Sequence, residues 1–561
     1  MRSALRQQRK LIRCLHSSRS IFDVTRACIA SRVRRSASTV AASTSSTMAD
    51  DQCCFYMGPG TLKIDRRAFH GPIRQGVVQR MQAALPEEKR GIILLKGGDV
   101  QPVYATDGEM LFRQEAYFHY LFGVNEDGFW GAVDVRDGRS LLFMPRLPAS
   151  YGVWMGVIQG PDYYKAKYAV DEVAYADDMA VVLAAARAPC VHLLAGTNTD
   201  SGIEVQPPSF EGSEGFMLET TALFRQLTEA RVHKTAGEVA LMKYVNHLGS
   251  RAHVAMMQGC QPGMMEYQAE STFRHFTYSR GGCRNQGYTC IAASGSNGAV
   301  LHYGHGGAPN DKPMRDGDLV LFDMGCEYYR YGSDITCSWP VNGKFTAQQA
   351  LLYNAVLDAH LSVIAAIAPG VSWPDMHTLA YRKILGGLAA GGLLQGDVEE
   401  MIAAEVGGLF MPHGLGHLIG IDTHDVGGYG EGFPDRSKRP GYKSLRTARH
   451  LEAGMIVTVE PGCYFNPVLL LPALEDPVHG KFLVKEALAP FMAMGGVRLE
   501  DNVVVTESGS LSLTDVPRTV EEIEAVMAGA HWPFSGVRAT PVGDTKNSIA
   551  GVAGVPGIAV V

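Results

Sequence analysis

The sequence predicts an α/β (α+β) protein with an amino-terminal α/β domain at residues 55–225 and a second domain at residues 230–535. Three observations lead to this prediction. Strand-like and helical patterns alternate through the first range, a strong helix start at Thr235 opens the second, and an internal repeat divides the second into similar halves. With 561 residues, 46% of them hydrophobic, the chain is long enough to form more than one core.

Short apolar runs in the first domain are typical of the strands in a layered α/β fold. They predict strands at residues 91–98, 140–150 and 191–196, and the pattern at residues 181–186 predicts a helix.

Three helix starts stand out in the second domain. Thr235 and Thr346 each have Glu or Gln three residues later, which is the pattern of a capping box. The helix that begins near Thr346 is expected to end at Pro369. Trp373 begins the third helix, with proline as its next residue.

The internal repeat places four carboxylates in equivalent positions. Asp323 and Glu460 each end an apolar run, six residues after one glycine and two before the next. Asp334 and Glu500 each precede another glycine by nine residues. Two halves that each supply two carboxylates would arrange all four around a pseudo-two-fold axis, although turn glycines are weak signals by themselves.

A carboxylate at the end of an apolar run is costly to bury unless it is paired or binds a cation. Four of them in one domain therefore predict a shared positive charge. Two adjacent divalent ions need a ligand that reaches both, as a carboxylate can. An oxygen-rich set of four carboxylates and one histidine suits manganese, with cobalt or zinc as substitutes. A water between the ions would be deprotonated near neutral pH and could act as the nucleophile.

Six histidines accompany the carboxylates in the sequence: His302, His305, His413, His417, His424 and His450. His413 and His417 are four residues apart, as in the helical H-E-x-x-H motif, but Gly414 and Gly416 disfavour a helix and no Glu follows His413. His417 alone is therefore assigned to the metal. His413 and His424 are interpreted as supporting or substrate-contacting donors.

Five segments then indicate a family: HYGHGGAPND, FDMGCEYYRYGSDITCSWPVNGKFT, FMPHGLGHLIGIDTHDVGGY, SLRTARHLEAGMIVTVEPG and GGVRLEDNVVVT. They resemble the prolidases, the Xaa-Pro dipeptidases among the pita-bread metallopeptidases. The resemblance runs from about Gly58 to Pro533 and includes all five ligand positions in order. It implies a pita-bread catalytic domain with pseudo-two-fold symmetry. The implied activity is hydrolysis of dipeptides that end in proline or hydroxyproline, through a water or hydroxide that bridges two divalent ions in each subunit.

The resemblance also implies a role for each ligand. Asp323 chelates one ion, Asp334 and Glu500 bridge both, and His417 and Glu460 complete the shell of the other. Glu460 additionally carries the proton from the nucleophilic water to the leaving proline nitrogen.

Further family positions imply contacts with the substrate. His302 and His424 face the scissile carbonyl or the tetrahedral intermediate, and Tyr288 and His413 help to shape the site. Arg446 holds the free carboxylate of the dipeptide.

Two arginines fit that last role on physical grounds. A dipeptidase must measure two residues from an amine to a carboxylate, and a guanidinium binds a carboxylate through two parallel hydrogen bonds. Arg446 and Arg449 are both candidates, and Arg446 is the family match. Arg498 lies two residues before Glu500, so it faces the same side of a strand and is expected to support the bridging carboxylates.

The resemblance implies a homodimer as well. Trp154 matches a family aromatic residue thought to reach the site of a neighbouring subunit, although an ordinary core or interface tryptophan fits equally well.

Three alternative functions compete with a dipeptidase. Aminopeptidase P has the same fold and cuts Xaa-Pro from longer peptides, but it must leave the carboxyl side open, which the segment around Arg446 disfavours. Methionine aminopeptidase lacks a matching amino-terminal domain. A non-catalytic scaffold predicts broken ligands, whereas all five are intact.

Charge and composition restrict the partners and the location. Residues 1–48 hold ten of the 51 basic residues and one of the 57 acidic residues, so the remainder has 41 basic and 56 acidic residues and a balance of −15. That balance gives no basic surface for nucleic acid, and no apolar run is long enough to predict a membrane span.

The Arg-rich and Ser-rich leader predicts a mitochondrial location if it is used, and a cytoplasmic one if translation starts at Met48. Residues 537–561 are small and turn-rich, which predicts disorder.

Overall fold

The computed structural model describes residues 52–533 and the separate strand Ile558–Val560. The leader at residues 1–48 lies outside the described residues, and so does the tail at residues 537–561 apart from that strand. Targeting by the leader and disorder of the tail therefore stay predictions. Among the described residues, none of the helices is long and apolar enough to cross a membrane.

The described residues in the first half of the chain form short strands and five α-helices. Its strands are β1 (Cys54–Phe55), β2 (Leu62–Asp65), β3 (Ile92–Lys96), β4 (Trp130–Asp134), β5 (Ser140–Met144), β6 (Glu172–Tyr175), β7 (Val191–Leu193), β8 (Gly196–Thr197), β9 (Glu204–Val205) and β10 (Leu218–Glu219). Its helices are α1 (Arg66–Ala84), α2 (Ala116–Phe122), α3 (Tyr151–Met155), α4 (Pro161–Tyr168) and α5 (Met179–Ala185).

A mixed six-stranded sheet with the order β10-β7-β3-β4-β5-β6 lies at the centre of this part. Strand β3 runs parallel to β7 and antiparallel to β4. Ile92 and Leu94 pack in one buried cluster, while Ile93 and Leu95 pack in another. Because both faces of β3 are covered, its sequence is a continuous apolar run rather than an alternating one.

The predicted elements of this domain are present with different ends. The expected strand at residues 140–150 stops at Met144, because the next residue, Pro145, has no N–H to donate to a neighbouring strand. The expected strand at residues 191–196 is divided between β7 and β8, and the expected helix at residues 181–186 is α5.

The second part of the chain contains the remaining elements. Its strands are β11 (Asn285–Gln286), β12 (Ile291–Ser294), β13 (Leu319–Asp323), β14 (Cys326–Tyr328), β15 (Tyr331–Gly332), β16 (Thr336–Pro340), β17 (Ile456–Val459), β18 (Gly462–Tyr464), β19 (Gly496–Arg498), β20 (Asp501–Val505), β21 (Ser510–Ser512) and β22 (Ile558–Val560), the last of which pairs with β2. Its helices are α6 (Leu223–Val232), α7 (Ala236–Gly259), α8 (Glu266–Gly281), α9 (Ala347–Ala366), α10 (Trp373–Ala390), α11 (Val398–Ala403), α12 (Gly407–Phe410), α13 (Pro467–Glu475), α14 (Lys485–Leu488) and α15 (Val520–Met527).

The two predicted capping boxes are confirmed. The hydroxyls of Thr235 and Thr346 cap α7 and α9, and the side chains three residues later bond back to the cap. Helix α10 begins at Trp373 as expected. Helix α9 ends at Ala366, three residues before Pro369, because a proline forces the residue before it away from the helical conformation.

The two halves predicted by the repeat each contain an antiparallel strand pair, and the third strand of each sheet lies on a different side of that pair. In the first half, β13 pairs with β16 in an antiparallel manner, with β12 on the other side of β13. In the second half, β17 pairs with β20 in the same way, and β21 follows β20. Helices α7 and α8 pack together, as do α9 and α10. This arrangement confirms the predicted pseudo-symmetric fold.

Candidate metal centre

Strand ends bring the five predicted ligands to one place. Asp323 is the last residue of β13, Glu460 directly follows β17, and Glu500 directly precedes β20. Asp334 lies between β15 and β16. These four carboxylates and His417 line one cavity of about 810 Å³.

The segment that carries His417 is extended rather than helical, as its two glycines predicted. The Glu460 N–H donates to the Leu415 carbonyl at 2.8 Å, and the Thr458 N–H donates to the His417 carbonyl at 2.9 Å. A Cβ atom on Gly416 would lie 2.0 Å from the Thr458 carbonyl oxygen. Glycine therefore permits the close approach to β17 that places His417 beside Glu460.

Asp334, His417 and Glu500 form the tightest group in the cavity. Each is buried, and one potential ligand atom from each lies within 4.8 Å of the others. His417 Nδ1 donates to the Leu418 carbonyl at 3.0 Å. Its Nε2 therefore faces the carboxylates, 3.4 Å from Asp334 Oδ2 and 3.6 Å from Glu460 Oε1. An imidazole held in this way through its other nitrogen is typical of metal sites.

Asp323 is held from two sides. The Tyr288 hydroxyl donates to its Oδ1 at 2.6 Å, and Arg498 Nη2 donates to its Oδ2 at 2.6 Å. Each carboxylate oxygen keeps a second lone pair, so Asp323 can still bind a cation. The sequence predicted that Arg498 supports the bridging carboxylates. Instead it bonds Asp323, and it reaches Glu500 only through the Thr336 hydroxyl, to which its Nε donates at 3.2 Å.

Two threonine hydroxyls were missed by the sequence analysis. Thr336 donates to Glu500 Oε2 at 2.7 Å. Thr458 donates to Glu460 Oε1 at 3.3 Å and accepts the His417 N–H at 3.0 Å. Thr458 lies two residues before Glu460, which is the same spacing that drew attention to Arg498. That spacing could have identified it.

A buried asparagine fixes the main chain of Asp334. The Asp334 N–H donates to Asn502 Oδ1 at 3.0 Å, and Asn502 Nδ2 donates back to the Asp334 carbonyl at 2.5 Å. These two bonds orient the Asp334 side chain without using its carboxylate oxygens.

Burial changes the pKa of every charged group in the cluster. Burial raises the pKa of Glu460 to about 7 and that of Asp323 to about 6. Burial and the neighbouring carboxylates hold the pKa of Glu500 well above its ordinary value. Burial also opposes ionisation of Asp334, but the hydrogen bond and charge of His417 outweigh it and lower the pKa. The pKa of His417 is raised because Asp334 and Glu460 outweigh the effect of burial. A cation bound among the four carboxylates would favour their ionised forms and oppose these upward shifts.

The remaining predicted histidines differ in their surroundings. His302 is exposed and lines the cavity. His424 also lines the cavity, and its ring centroid lies 4.6 Å from that of His417 with an interplanar angle of 87°. Burial and the charge of His417 lower the pKa of His424 to about 3. His413 also lines the cavity, but its Nδ1 donates to the Gly414 carbonyl at 2.7 Å and its Nε2 contacts the Tyr464 hydroxyl at 2.9 Å.

The structure separates the two candidate arginines. Arg446 lines the cavity. Arg449 is buried elsewhere, and its Nη1 donates to Glu229 at 2.9 Å. Two further arginines, Arg113 and Arg436, also line the cavity, and no sequence signal had pointed to them. The cavity therefore has a cluster of carboxylates and histidines together with several guanidinium groups.

The chain was compared with known families and structures. The model for "Metallopeptidase family M24" matches residues 240–507, and the model for "Aminopeptidase P, N-terminal domain" matches residues 73–192. A Homo sapiens protein named Xaa-Pro dipeptidase is 51% identical over 485 residues, which is 86% of this chain and 98% of the relative.

Solved structures agree with this likeness. Pseudomonas aeruginosa aminopeptidase PepP is 32% identical with a TM-score of 0.66, and the match covers 82% of this chain and 97% of that one. Zinc-substituted Escherichia coli aminopeptidase P in complex with product is 30% identical with a TM-score of 0.66, over 83% and 98% of the two chains. About half of the aligned residues are identical to those of an Xaa-Pro dipeptidase, and the alignment covers nearly the whole of that relative. The chain therefore belongs to the prolidases of metallopeptidase family M24.

Proposed function

We propose that the cavity hydrolyses Xaa-Pro dipeptides with proline or hydroxyproline at the carboxyl end. One observation carries the proposal: three buried carboxylates, the partly buried Glu460 and His417 meet in a cavity that is also lined by Arg446. The first part can hold cations and the second can hold a free carboxylate. The human relative that is 51% identical bears the name Xaa-Pro dipeptidase, which supports the same substrate class.

The ligand set suits two divalent ions per subunit, with manganese as the proposed metal because carboxylate oxygens are hard ligands. Asp323 would hold one ion, Asp334 and Glu500 would be shared by both, and His417 and Glu460 would be direct ligands of the other ion. When bound, such a pair lowers the pKa of a shared water and polarises the scissile carbonyl. The charge balance of the cluster supports this arrangement, since four carboxylates face Arg498, 2.6 Å from Asp323, and His417, 3.4 Å from Asp334.

Protein groups around the ligands perform the remaining steps. The Glu460 carboxylate accepts the proton of the attacking water and delivers it to the proline nitrogen as the peptide bond breaks. The Thr458 hydroxyl orients Glu460 through its bond to Oε1. His302 and His424 line the cavity and donate to the carbonyl oxygen as negative charge develops there.

The groups at the carboxyl end of the substrate explain the preference for an Xaa-Pro bond. Proline at the second position forms a tertiary amide without an N–H. A site that binds its substrate through the N–H of the scissile amide therefore cannot bind an Xaa-Pro peptide in this way. Arg446 binds the terminal carboxylate instead, while Tyr288 fixes Asp323 and shapes the wall beside it. His413 supports the wall through its contact with Tyr464.

Substrate length separates a dipeptidase from an aminopeptidase P. With manganese, the protein is expected to hydrolyse Gly-Pro with a kcat/KM at least about 100-fold above that for Gly-Pro-Ala, because the longer peptide moves its carboxylate away from Arg446. Both reactions are followed by release of glycine. Equal values for the two peptides would instead favour an aminopeptidase P.

The role of the cluster is tested by Asp323→Asn. The variant is expected to bind fewer metal ions and to lose activity by more than about 100-fold, because a neutral amide is a poorer ligand than a carboxylate. Metal content is measured by elemental analysis alongside Gly-Pro turnover. Asp316→Asn, at an exposed position on the approach to the same strand, is the matched control and should retain both. Full turnover by an Asp323→Asn protein without metal would contradict the mechanism.

Without bound metal, the melting temperature of the protein is expected to fall as the pH rises from about 5 to 8. The folded state raises the pKa values of Asp323, Glu460 and Glu500, so it binds more protons than the unfolded state. Protonated Glu460 stabilises the folded state fully when the pH is below the ordinary pKa of a glutamate. This stabilisation is lost as the pH rises past the folded-state pKa of about 7. Melting temperatures in chelator should therefore fall with pH, and added manganese should stabilise more at pH 8 than at pH 5.5.

The matched variant for this prediction is Glu500→Gln, whose side chain is neutral at every pH. Its melting temperature in chelator should fall less than that of the unchanged protein over the same pH range. A melting temperature that rises with pH in chelator would contradict the proposed charge crowding.

We also propose that the protein is a homodimer that uses the surface around α3. Val153, Trp154 and Val157 are 79%, 84% and 82% exposed there. Adjacent exposed apolar side chains of this size commonly mark an interface. Light scattering after gel filtration should give a dimer mass, and Trp154→Glu should shift it towards the monomer. Val181→Glu, at another exposed apolar position, should leave the mass unchanged. A monomer mass for the unchanged protein would exclude the dimer.

A further inference from the structure

Two cavity arginines share one carboxylate from the amino-terminal part of the chain. Arg436 and Arg446 both line the cavity. Asp200 Oδ1 lies 3.2 Å from Arg436 Nη2, and Asp200 Oδ2 lies 3.7 Å from Arg446 Nη1. The three groups together carry one net positive charge. They can therefore accept one further anionic group from the cavity side.

Asp200 is presented by an ordered hairpin between β8 and β9. The Asn198 side chain accepts the N–H groups of Asp200 at 2.9 Å and Ser201 at 3.0 Å. The Asn198 N–H donates to the Ile203 carbonyl at 3.0 Å, and the Gly202 N–H donates back to the Asn198 carbonyl at 2.8 Å. An asparagine that bonds the next main-chain N–H groups fixes the turn. The Asp200 carboxylate is consequently held at the tip.

Arg436 ties this hairpin to the main chain beside Arg446. Its Nη2 donates to the Thr199 carbonyl at 3.1 Å, and its Nη1 donates to the Leu445 carbonyl at 2.5 Å. Its guanidinium lies 4.3 Å from the ring centroid of Tyr429, whose hydroxyl donates to the same Leu445 carbonyl at 2.8 Å. Leu445 directly precedes Arg446, so these bonds fix the backbone from which the Arg446 side chain extends.

The unequal distances divide the tasks of the two arginines. Asp200 pairs more closely with Arg436, which is also bound to two carbonyls. Arg446 meets Asp200 at the longer distance through one nitrogen, so most of its five N–H donors can turn to a ligand. Without the carboxylate, two guanidinium groups would repel each other across the cavity wall.

We propose that Asp200 is a positioning residue that, with Arg436, holds Arg446 ready for the terminal carboxylate of the substrate. The inference rests on the proposed dipeptidase function and deepens it. It makes recognition of the dipeptide carboxylate depend on a residue outside the domain that holds the metal ligands.

The test measures the preference for a carboxylate, defined as kcat/KM for Gly-Pro divided by kcat/KM for glycylprolinamide, whose terminal carboxylate is replaced by an amide. Asp200→Asn should lower this preference about fivefold, mainly through KM for Gly-Pro, with kcat and metal content retained. Asp200→Glu should restore part of it because the charge remains. Asp177→Asn, which breaks an exposed pair with Arg146, is the matched control and should change nothing.

A double-mutant cycle separates positioning from a general structural effect. Arg446→Ala should abolish the preference, and adding Asp200→Asn to it should lower kcat/KM no further. Arg436→Ala should reproduce the loss seen with Asp200→Asn, which keeps the test available if one variant folds poorly. An unchanged or increased preference in Asp200→Asn, or the same fivefold loss without Arg446, would overturn the inference while leaving the dipeptidase function intact. Failure of the unchanged protein to hydrolyse Gly-Pro would instead refute the proposed function, and the inference with it.

Discussion

The cost of placing four carboxylates together, three of them buried and Glu460 partly buried, is the constraint on which the catalytic half of this structure depends. Burial raises the pKa of Glu460, Asp323 and Glu500, so full ionisation of the cluster is costly and a bound cation would offset that cost. The surrounding groups reduce this cost where they can. Arg498 neutralises Asp323, and hydroxyls or N–H groups bind oxygens whose second lone pairs stay available. A site of this kind is poised for cations rather than for a hydrophobic ligand.

The two halves of the fold stabilise each other across this cluster. Arg498 belongs to the second half but pairs with Asp323 of the first. Asn502, also of the second half, clamps the main chain of Asp334 in the first. In return, Thr336 of the first half donates to Glu500 of the second. Separating the halves would leave buried polar groups unpaired, so the ligand geometry and the packing of the halves depend on the same hydrogen bonds.

Local patterns were sufficient to predict the carboxylates and the histidine that meet in the cavity but not all of the groups that surround them. Strand-end carboxylates and a glycine-flanked histidine are visible in short segments, and a period of two along a strand would also have identified Thr458. Asp200 and Arg436 are 236 residues apart and meet only because tertiary packing brings the hairpin to the cavity. Arg498 shows the same limit, since its side of the strand was predictable while its partner, Asp323 on another strand, was not.

The division between ligands and substrate contacts has a consequence for specificity. In the proposed function, the metal ligands would act on the scissile bond, and none of them would sense where the substrate ends. In the proposed function, length would be read by a charge at a fixed distance from that bond, and Arg446 lines the cavity where such a charge is needed. A flexible arginine measures length poorly, because its charge could follow the carboxylate of a longer peptide. Under the two proposals, fixing Arg446 through Arg436 and Asp200 would turn a general attraction for anions into a measurement of distance.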